Sequence, residues 1–339
     1  MGEDSGREVV ADLCRIPNPE GVDRTARVVL GGVGQFVSVR GRDRRNPVLI
    51  VCHGGPAMPS LPSSWVWQRG VEDYFTVVNY DQRGAGRSFD ASDTDIDLDV
   101  DRYVDDLVEL ISWVRSELGV DRVALLGHSW GSIIALLTAH RRPDLLWAYV
   151  GVGQVVSGEE NEREAFAHAW RSAEADGNAA ALDELRALGE YPGDAPLTME
   201  RIVVCRRWAQ HYGGLSAHRS ESGYFFGAAE LSPYYTDEDL ERIGDGQALT
   251  GPAVIPALVG FDARDRTAFE VPLVQFLGRH DHTTPTAPVE RWLERVTAPS
   301  KDAVWFEHSA HLCMLEEPGA FVVSLVNRVL PLSPDQRVA

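Results

Sequence analysis

The chain has 339 residues, of which 44 % are hydrophobic and 24 % are charged, a composition typical of a folded globular protein. Its formal net charge of −19 disfavours nucleic acid and anionic membrane surfaces as partners, because both attract basic surfaces. A chain of this length is expected to form one core domain that carries an inserted subdomain.

The cysteines and the amino terminus bear on the cellular compartment. The amino terminus lacks a basic segment followed by an apolar one, and no stretch approaches 18 uninterrupted apolar residues. These features predict a cytoplasmic protein without a membrane segment, and they leave the oligomeric state open. We expect reduced and mostly buried thiols, because the cysteines are far apart in the sequence, at Cys14, Cys52, Cys205 and Cys313.

The first 154 residues alternate between predicted strands and helices. Residues 26–40 predict an antiparallel hairpin with a glycine-bearing turn. Apolar residues at three- and four-residue spacing predict a helix over 100–118, and a second helix is predicted over 132–140. Continuous apolar runs predict strands buried on both faces at 47–52, 75–80, 122–126 and 145–150. This alternation indicates a mostly parallel, doubly wound α/β sheet.

The alternation stops between residues 155 and 268, where the sequence is acidic and helical. Helices are predicted there at 162–176, 179–188 and 201–211. The earlier pattern then resumes, with predicted strands and helices at 271–277, 287–295, 303–306 and 319–329. We therefore predict a core formed by residues 1–154 and 269–339, with residues 155–268 inserted as a helical cap.

The segment Gly127-His128-Ser129-Trp130-Gly131 lies between a predicted strand and a predicted helix. This context is typical of a nucleophile elbow, in which small residues allow a turn tight enough to expose the serine hydroxyl. Ser129 is therefore the candidate nucleophile. The alternative is that Ser129 caps the following helix.

An acid and a base follow Ser129 in the order that a serine triad of this kind requires. Asp281 comes directly after the strand at 271–277, at the sheet edge where sites of open α/β sheets lie. His308 and His311 both follow the strand at 303–306 and are both candidate bases. A metal site is the weaker alternative, because the four histidines at positions 280, 282, 308 and 311 lack a recognised zinc spacing.

The segment His53-Gly54-Gly55-Pro56 follows the strand at 47–52. Its glycines let the backbone approach a ligand, so the N–H groups of Gly55 and Trp130 are candidates for a two-donor oxyanion hole. The alternative is a plain turn between a strand and a helix.

Several segments together resemble the prolyl iminopeptidase-like branch of the α/β-hydrolases, in order over residues 47–318. The resemblance implies the α/β-hydrolase fold and a catalytic histidine five residues before a Glu-Glu-Pro turn, which favours His311 over His308. It implies only a structural role for the Asp-Gln-Arg-Gly loop. The segments are His53 to Pro56, Asp81 to Ser88, Gly127 to Gly131, Gly278 to Asp281 and His311 to Pro318.

The insertion departs from that family's pattern. Prolyl iminopeptidases are similar to one another in a Trp-x-x-Trp-Glu segment whose acid holds the free amino end of the substrate. After Trp208, this chain has Gln210 and His211 where the acid is expected, and no role is assigned to Glu221 or Glu230. We therefore expect weak release of amino-terminal proline and better activity on uncharged acyl esters or amides.

The aromatic side chains of the insertion are candidates for an apolar substrate pocket. The alternative is that they form the small core of the cap itself. The four pocket candidates are Trp208, Tyr224, Phe225 and Tyr234, with Trp170, Phe226 and Tyr235 as further members of the same aromatic stretches.

The sequence thus predicts a serine hydrolase that cleaves an ester or amide of a small molecule or short peptide, without a cofactor or metal. Dinucleotide binding is disfavoured, because Gly84-Ala85-Gly86 and Gly151-Val152-Gly153 lack the third glycine of that motif. Epoxide hydrolases and haloalkane dehalogenases use aspartate at the elbow, where this chain has Ser129. A non-hydrolytic lyase, cyclase or acyl transferase, or a binding protein on the same scaffold, stays open as an alternative.

Overall fold

A computed structural model describes residues 3–93, 95–193 and 197–334. Its centre is an eight-stranded sheet. The strands are β1 Val22–Leu30, β2 Val33–Gly41, β3 Val48–Cys52, β4 Thr76–Tyr80, β5 Val123–His128, β6 Leu146–Val152, β7 Leu273–Gly278 and β8 Lys301–Phe306. They lie in the order β1-β2-β4-β3-β5-β6-β7-β8; β2 pairs antiparallel with β1 and with β4, and all other neighbours pair parallel. The hairpin and the mostly parallel, doubly wound sheet predicted from the sequence are confirmed.

The helices fall into two sets. Those that accompany the sheet are α1 Glu3–Cys14, α2 Gln68–Val71, α3 Val100–Leu118, α4 Trp130–Arg141, α10 Thr286–Arg295, α11 Cys313–Glu316 and α12 Pro318–Ser324. Those inserted between β6 and β7 are α5 Gly158–Asp176, α6 Ala179–Ala187, α7 Met199–His211, α8 Gly223–Glu230 and α9 Asp237–Gly260. None of the helices in the described residues is both long and apolar enough to cross a bilayer.

Alternate residues of the central strands point to opposite faces of the sheet, which creates two apolar layers. On β3, Val48 and Ile50 face the layer that holds α3 and α4, while Leu49 and Val51 face the layer that holds α12. All five residues of β3 are buried. The continuous apolar runs in the sequence therefore correspond to strands covered on both faces, as a parallel sheet requires.

The inserted helices have a small core of their own. Its buried members come from α5, α6 and α7 and from Tyr191, in the loop between α6 and α7. The sequence analysis did not identify α8 or α9, and α9 contains Pro252 and Pro256 within its 24 residues. A capping box between Thr236 and Asp239 starts α9. Gly246 lets α9 approach the core closely, because a Cβ at this position would lie 2.4 Å from the Gly84 oxygen.

A buried ion pair fixes the loop after β4 against helix α3. Arg83 donates from Nε and Nη2 to the two carboxylate oxygens of Asp106, at 2.6 and 2.9 Å, and both side chains are almost fully buried. Gln35 on β2 donates to the same carboxylate at 2.6 Å. The pair therefore joins the antiparallel edge, the loop after β4 and α3, in keeping with the structural role that the resemblance implied for this loop.

We expect Arg83→Ala to lower the free energy of unfolding by about 3 kcal/mol, because it leaves the buried Asp106 carboxylate with only the less buried Arg102 and the neutral Gln35 as partners. The double variant Arg83→Met with Asp106→Leu should lose less, because it removes both charges. Arg163→Ala, which breaks the exposed pair with Glu159, should cost less than about 0.5 kcal/mol. Urea denaturation measures all three, and equal losses for the single and double core variants would contradict this account.

Candidate active site

The candidate nucleophile lies in a strained turn between β5 and α4. Ser129 has φ +54° and ψ −123°, a conformation that side chains rarely adopt, and its side chain makes no capping bond to α4. A Cβ on Gly127 would lie 2.7 Å from the Gly131 oxygen, and one on Gly131 would lie 2.2 Å from the Cys52 oxygen. The two glycines are therefore needed for the turn itself and for its contact with the end of β3.

The candidate base and acid are hydrogen-bonded to each other. Nδ1 of His311 lies 2.9 Å from Oδ2 of Asp281, and both side chains are buried. Asp281 Oδ1 accepts the backbone N–H groups of Thr283 and Thr284, at 2.9 and 2.8 Å. These donors orient the carboxylate toward His311. Because a carboxylate only accepts hydrogen bonds, Nδ1 of His311 carries the proton of this contact and Nε2 is the unprotonated nitrogen.

Two neighbours of this pair were not identified from the sequence. The Thr284 hydroxyl donates to Asp281 Oδ2 at 2.9 Å and lies 3.1 Å from His311 Nδ1. Gly153 has φ +53°, and a Cβ there would lie 2.7 Å from His311 Cε1. The Asp-x-x-Thr spacing would have pointed to Thr284. An aspartate side chain often binds the backbone a few residues further along the chain, as Asp281 does here.

His308 and His311 have different surroundings. The His308 side chain is exposed, and its backbone N–H donates to Oε2 of Glu317 at 3.0 Å. Glu316 accepts the backbone N–H of Ala310 at 2.8 Å. The two glutamates of the Glu-Glu-Pro turn therefore fix the loop that presents His311.

The candidate oxyanion loop is held by buried polar contacts. Gly55 has φ +126°, and a Cβ there would lie 2.6 Å from the Ala57 nitrogen. Gln82 donates from its side chain to the His53 oxygen at 2.8 Å and accepts the indole N–H of Trp130 at 3.1 Å. Gln82 thereby ties the oxyanion loop to the residue that follows Ser129.

His53 is neutral in this loop. Its Nε2 accepts the backbone N–H of Gln82 at 3.0 Å, which leaves Nδ1 to donate to the Gly54 oxygen at 2.8 Å. Burial lowers the pKa of His53 to about 4. Burial also lowers the pKa of His128, to about 3, and its ring centroid lies 4.7 Å from that of His311.

A cavity of about 650 Å³ contains Gly55, Ser129 and His311 on its wall. One part of the wall is the apolar layer of the core, formed by Val51, Trp67, Leu126, Met314 and Phe321. A further part belongs to the insertion and carries polar side chains, namely Asn161, Arg206, Arg207, Gln210, His211 and Glu221, together with apolar ones such as Leu215 and Ile255. Phe226 and Met199 on the wall are also exposed to solvent, which marks the mouth of the cavity.

Of the four aromatic pocket candidates, Phe225 lies on the cavity wall and the other three lie elsewhere. Trp208 packs on the core of the inserted helices and donates its indole N–H to Glu184 at 2.8 Å. The Tyr224 hydroxyl is bonded to Ser216, and Tyr234 packs over the Arg40 guanidinium. The pocket assignment is therefore not kept for these three, because other packing contacts occupy their rings.

The segment that follows α7 binds both catalytic loops. The carbonyl of Gly214 accepts the backbone N–H groups of His282 and Thr283, each at 3.1 Å. The carbonyl of Leu215 accepts the His311 N–H at 3.2 Å. The rings of His282 and His168, a residue of α5, stack with centroids 3.5 Å apart. The insertion is thus attached directly to the loops that carry the acid and the base.

The geometry and the comparisons with known proteins agree on the family. A family model described as alpha/beta hydrolase fold matches residues 47–318. The chain belongs to the α/β-hydrolase fold family. As predicted, it resembles the branch of this family that includes the prolyl iminopeptidases.

Two curated relatives cover most of the chain. It is 28 % identical over 313 residues to a probable aminopeptidase, YbaC of Bacillus subtilis, with 91 % of this chain and 97 % of the relative covered. It is 26 % identical over 301 residues to a proline iminopeptidase of Heyndrickxia coagulans, with 87 % and 94 % covered. The crystal structure of VinJ matches with a TM-score of 0.66 and 23 % identity over 93 % of this chain and 100 % of that one. Family membership and these relatives support a hydrolytic enzyme.

A buried aspartate connects the insertion to the loop after β4. Asp81 Oδ2 accepts the backbone N–H of Arg87 at 2.8 Å and the hydroxyl of Tyr235, which lies between α8 and α9. Its Oδ1 has no hydrogen-bond partner in the described part of the chain. Burial raises the pKa of Asp81 to about 7 from an ordinary value of 3.8.

The Asp81 carboxyl should make stability fall as pH rises. Between roughly pH 4 and 7 the folded protein keeps a proton that the unfolded chain has lost, so the free energy of unfolding decreases across that window. We expect Asp81→Asn to remove this dependence. Its Tm relative to the wild type should therefore increase by at least about 3 °C from pH 5 to pH 8 in thermal denaturation.

Asp121→Asn, at an exposed position, is the matched control and should show a constant Tm difference. A difference between Asp81→Asn and the wild type that stays constant with pH would contradict the raised pKa.

Proposed function

We propose that the protein is a serine hydrolase that cleaves an ester or amide through an acyl-enzyme. The observation that carries this proposal is the 2.9 Å contact between His311 Nδ1 and Asp281 Oδ2 at a cavity that also contains the strained Ser129. The order of the three residues in the sequence supports the same conclusion, and so does the close approach of the oxyanion loop to the turn that carries Ser129.

In the proposed mechanism, His311 Nε2 takes the proton of the Ser129 hydroxyl as its oxygen attacks the substrate carbonyl. Asp281 holds the imidazole in the correct tautomer and stabilises the imidazolium. The N–H groups of Gly55 and Trp130 donate to the oxyanion of the tetrahedral intermediate. His311 then protonates the leaving alcohol or amine, and a water molecule activated by His311 hydrolyses the acyl-enzyme.

We also propose that residues 155–268 act as a cap that controls which substrates reach Ser129, while 1–154 and 269–339 form the catalytic core. The hydrogen bonds from Gly214 and Leu215 to the acid and base loops support this division. The polar wall of the cavity comes from these inserted helices, whereas the apolar wall belongs to the core. Specificity for polar groups therefore resides in the cap.

The charges on the cap wall favour an uncharged acyl group. Arg206 and Arg207 are paired with Glu162 and Glu184, and Glu221, which is exposed to solvent, is the one carboxylate on the cavity wall among the described residues. A substrate ammonium would therefore have only an exposed and screened carboxylate as its partner. The apolar wall provides a pocket for an acyl chain.

Aminopeptidase activity is the second candidate function. The relatives named as an aminopeptidase and a proline iminopeptidase favour it, and so does Glu221, whose carboxylate could bind a free amino end. A non-hydrolytic transferase or lyase would share the same triad, and product analysis with a competing nucleophile distinguishes it from a hydrolase. Labelling by a fluorophosphonate distinguishes any of these enzymes from a binding protein.

We expect Ser129→Ala to lower turnover by at least about a thousandfold without unfolding the protein, because Ser129 alone forms the acyl intermediate. His311→Ala should have a similar kinetic effect, while His308→Ala should keep near wild-type turnover because its side chain is exposed. Steady-state hydrolysis of a p-nitrophenyl ester, with circular dichroism as the control for folding, measures these effects. Full activity of Ser129→Ala would refute the mechanism, and loss with His308→Ala alone would move the base.

We expect kcat/KM to be at least about tenfold higher for a simple acyl p-nitroanilide than for the prolyl p-nitroanilide, because the described part of the cavity wall offers the amine only the exposed carboxylate of Glu221. The two anilides share one leaving group, so the comparison isolates the acyl side. Glu221→Gln tests the second candidate function: it should leave the acyl anilide unaffected. A preference for the prolyl anilide that Glu221→Gln or blocking of the amine abolishes would establish the aminopeptidase instead.

A further inference from the structure

Asn161 is a buried polar side chain on the cavity wall that has no assigned task. It lies in the first turn of α5 and is only 3 % exposed. Its carboxamide oxygen, Oδ1, has no hydrogen-bond partner in the described part of the chain. Folding normally pairs such a group, because burying it without a partner is unfavourable.

The turn of helix that carries Asn161 is fixed on both sides. The N–H of Gly158 donates to the Phe261 oxygen at 2.9 Å, and Glu160 accepts from Arg264 and Arg291 at 2.9 and 2.8 Å. These contacts hold α5 against the end of α9 and against α10. The backbone position of Asn161 at the cavity wall is therefore fixed.

The next residue, Glu162, does not serve as a partner for Asn161. It is 2 % exposed, its Oε1 accepts Nε of Arg206 at 3.0 Å, and its Oε2 accepts the hydroxyl of Tyr191. Both carboxylate oxygens are thus occupied by groups of the protein. Asn161 remains as an oriented, uncharged acceptor beside a neutralised ion pair.

We propose that Asn161 is a specificity-determining residue that binds a neutral hydrogen-bond donor, a hydroxyl or an amide N–H, on the acyl part of the substrate. This inference rests on the proposed serine hydrolase function and names the substrate class for it. An acyl group with such a donor would complete the hydrogen bonding of Oδ1 on entering the cavity. An acyl group of the same shape without the donor would leave Oδ1 buried and unpaired.

The donor is neutral because of the charges around Asn161. Arg206 on the cavity wall is paired with Glu162, the neighbour of Asn161, which compensates its charge. An ammonium placed beside Asn161 would find the Glu162 carboxylate already occupied and would lose its hydration. A hydroxyl or amide N–H has no such requirement.

The test uses p-nitrophenyl esters of N-acetylalanine and of 2- and 3-hydroxybutyric acid, each beside its N- or O-methylated counterpart. Methylation removes the donor and keeps the leaving group, so each pair isolates one hydrogen bond. We expect the wild type to prefer the donor in at least one pair by about tenfold or more in kcat/KM. Asn161→Leu, of similar volume, should reduce that ratio to less than about twofold, chiefly by lowering kcat/KM for the ester that carries the donor.

Two measurements keep the result interpretable. The Tm of Asn161→Leu should equal or exceed that of the wild type, because the variant removes a buried unpaired group. If Asn161→Leu does not fold, Asn161→Ala is used in its place. No preference in the wild type, or a preference that survives both substitutions, would overturn the inference. Absence of Ser129-dependent turnover on every ester would instead reject the proposed function.

Discussion

The carboxyl end of the sheet depends on one backbone contact, between Gly131 and the carbonyl groups at the end of β3. A Cβ at Gly131 would lie 2.2 Å from the Cys52 oxygen and 2.4 Å from the His53 oxygen, so only glycine allows the approach. This contact presses the Ser129 turn against the loop that carries Gly55. Two N–H groups from different elements can serve one oxyanion only when their backbones meet in this way. The strained φ of Ser129 is tolerated because β3 and β6 fix the strand end of the turn and the Ser129 N–H donates to the Val152 oxygen at 3.0 Å.

The second constraint joins the catalytic loops to the inserted helices. Glu316 accepts the N–H of Ala310 in the base loop and that of Ala217 in the insertion, so one carboxylate fixes both segments. Burial raises its pKa from the ordinary value for glutamate. Together with the bonds to the Gly214 carbonyl, this contact makes the position of the insertion dependent on the same loops that orient Asp281 and His311. The insertion and the loops of the candidate acid and base are therefore mechanically connected.

The sequence predicted most of the sheet, because β3 to β6 are mostly apolar and a parallel sheet buried on both faces favours that pattern. It did not predict α9, because Pro252 and Pro256 normally interrupt a helix. Fold-level rules about strand ends single out the candidates Ser129 and Asp281, whereas the preference for His311 over His308 came from the resemblance to the prolyl iminopeptidase-like branch. The contacts of Thr284 and Gly153 with His311 could not, because they depend on where loops from three different strands meet. The aromatic residues of the insertion were assigned to a pocket by composition alone, which does not reveal whether a ring faces the cavity or the core of the insertion.

The two walls of the cavity are under different physical constraints. The apolar wall consists of side chains such as Leu126 and Phe321 that also pack the core, so a change in its shape would create or remove core volume and cost stability. The polar wall belongs to helices whose small core lies away from the sheet, around residues such as Ala169 and Cys205. Substitutions on that wall can change polarity without disturbing the sheet. The buried Oδ1 of Asn161, unpaired within the described part of the chain, lowers the stability of the fold. It lies on the wall where such a loss leaves the sheet intact and where our proposal assigns it to substrate binding.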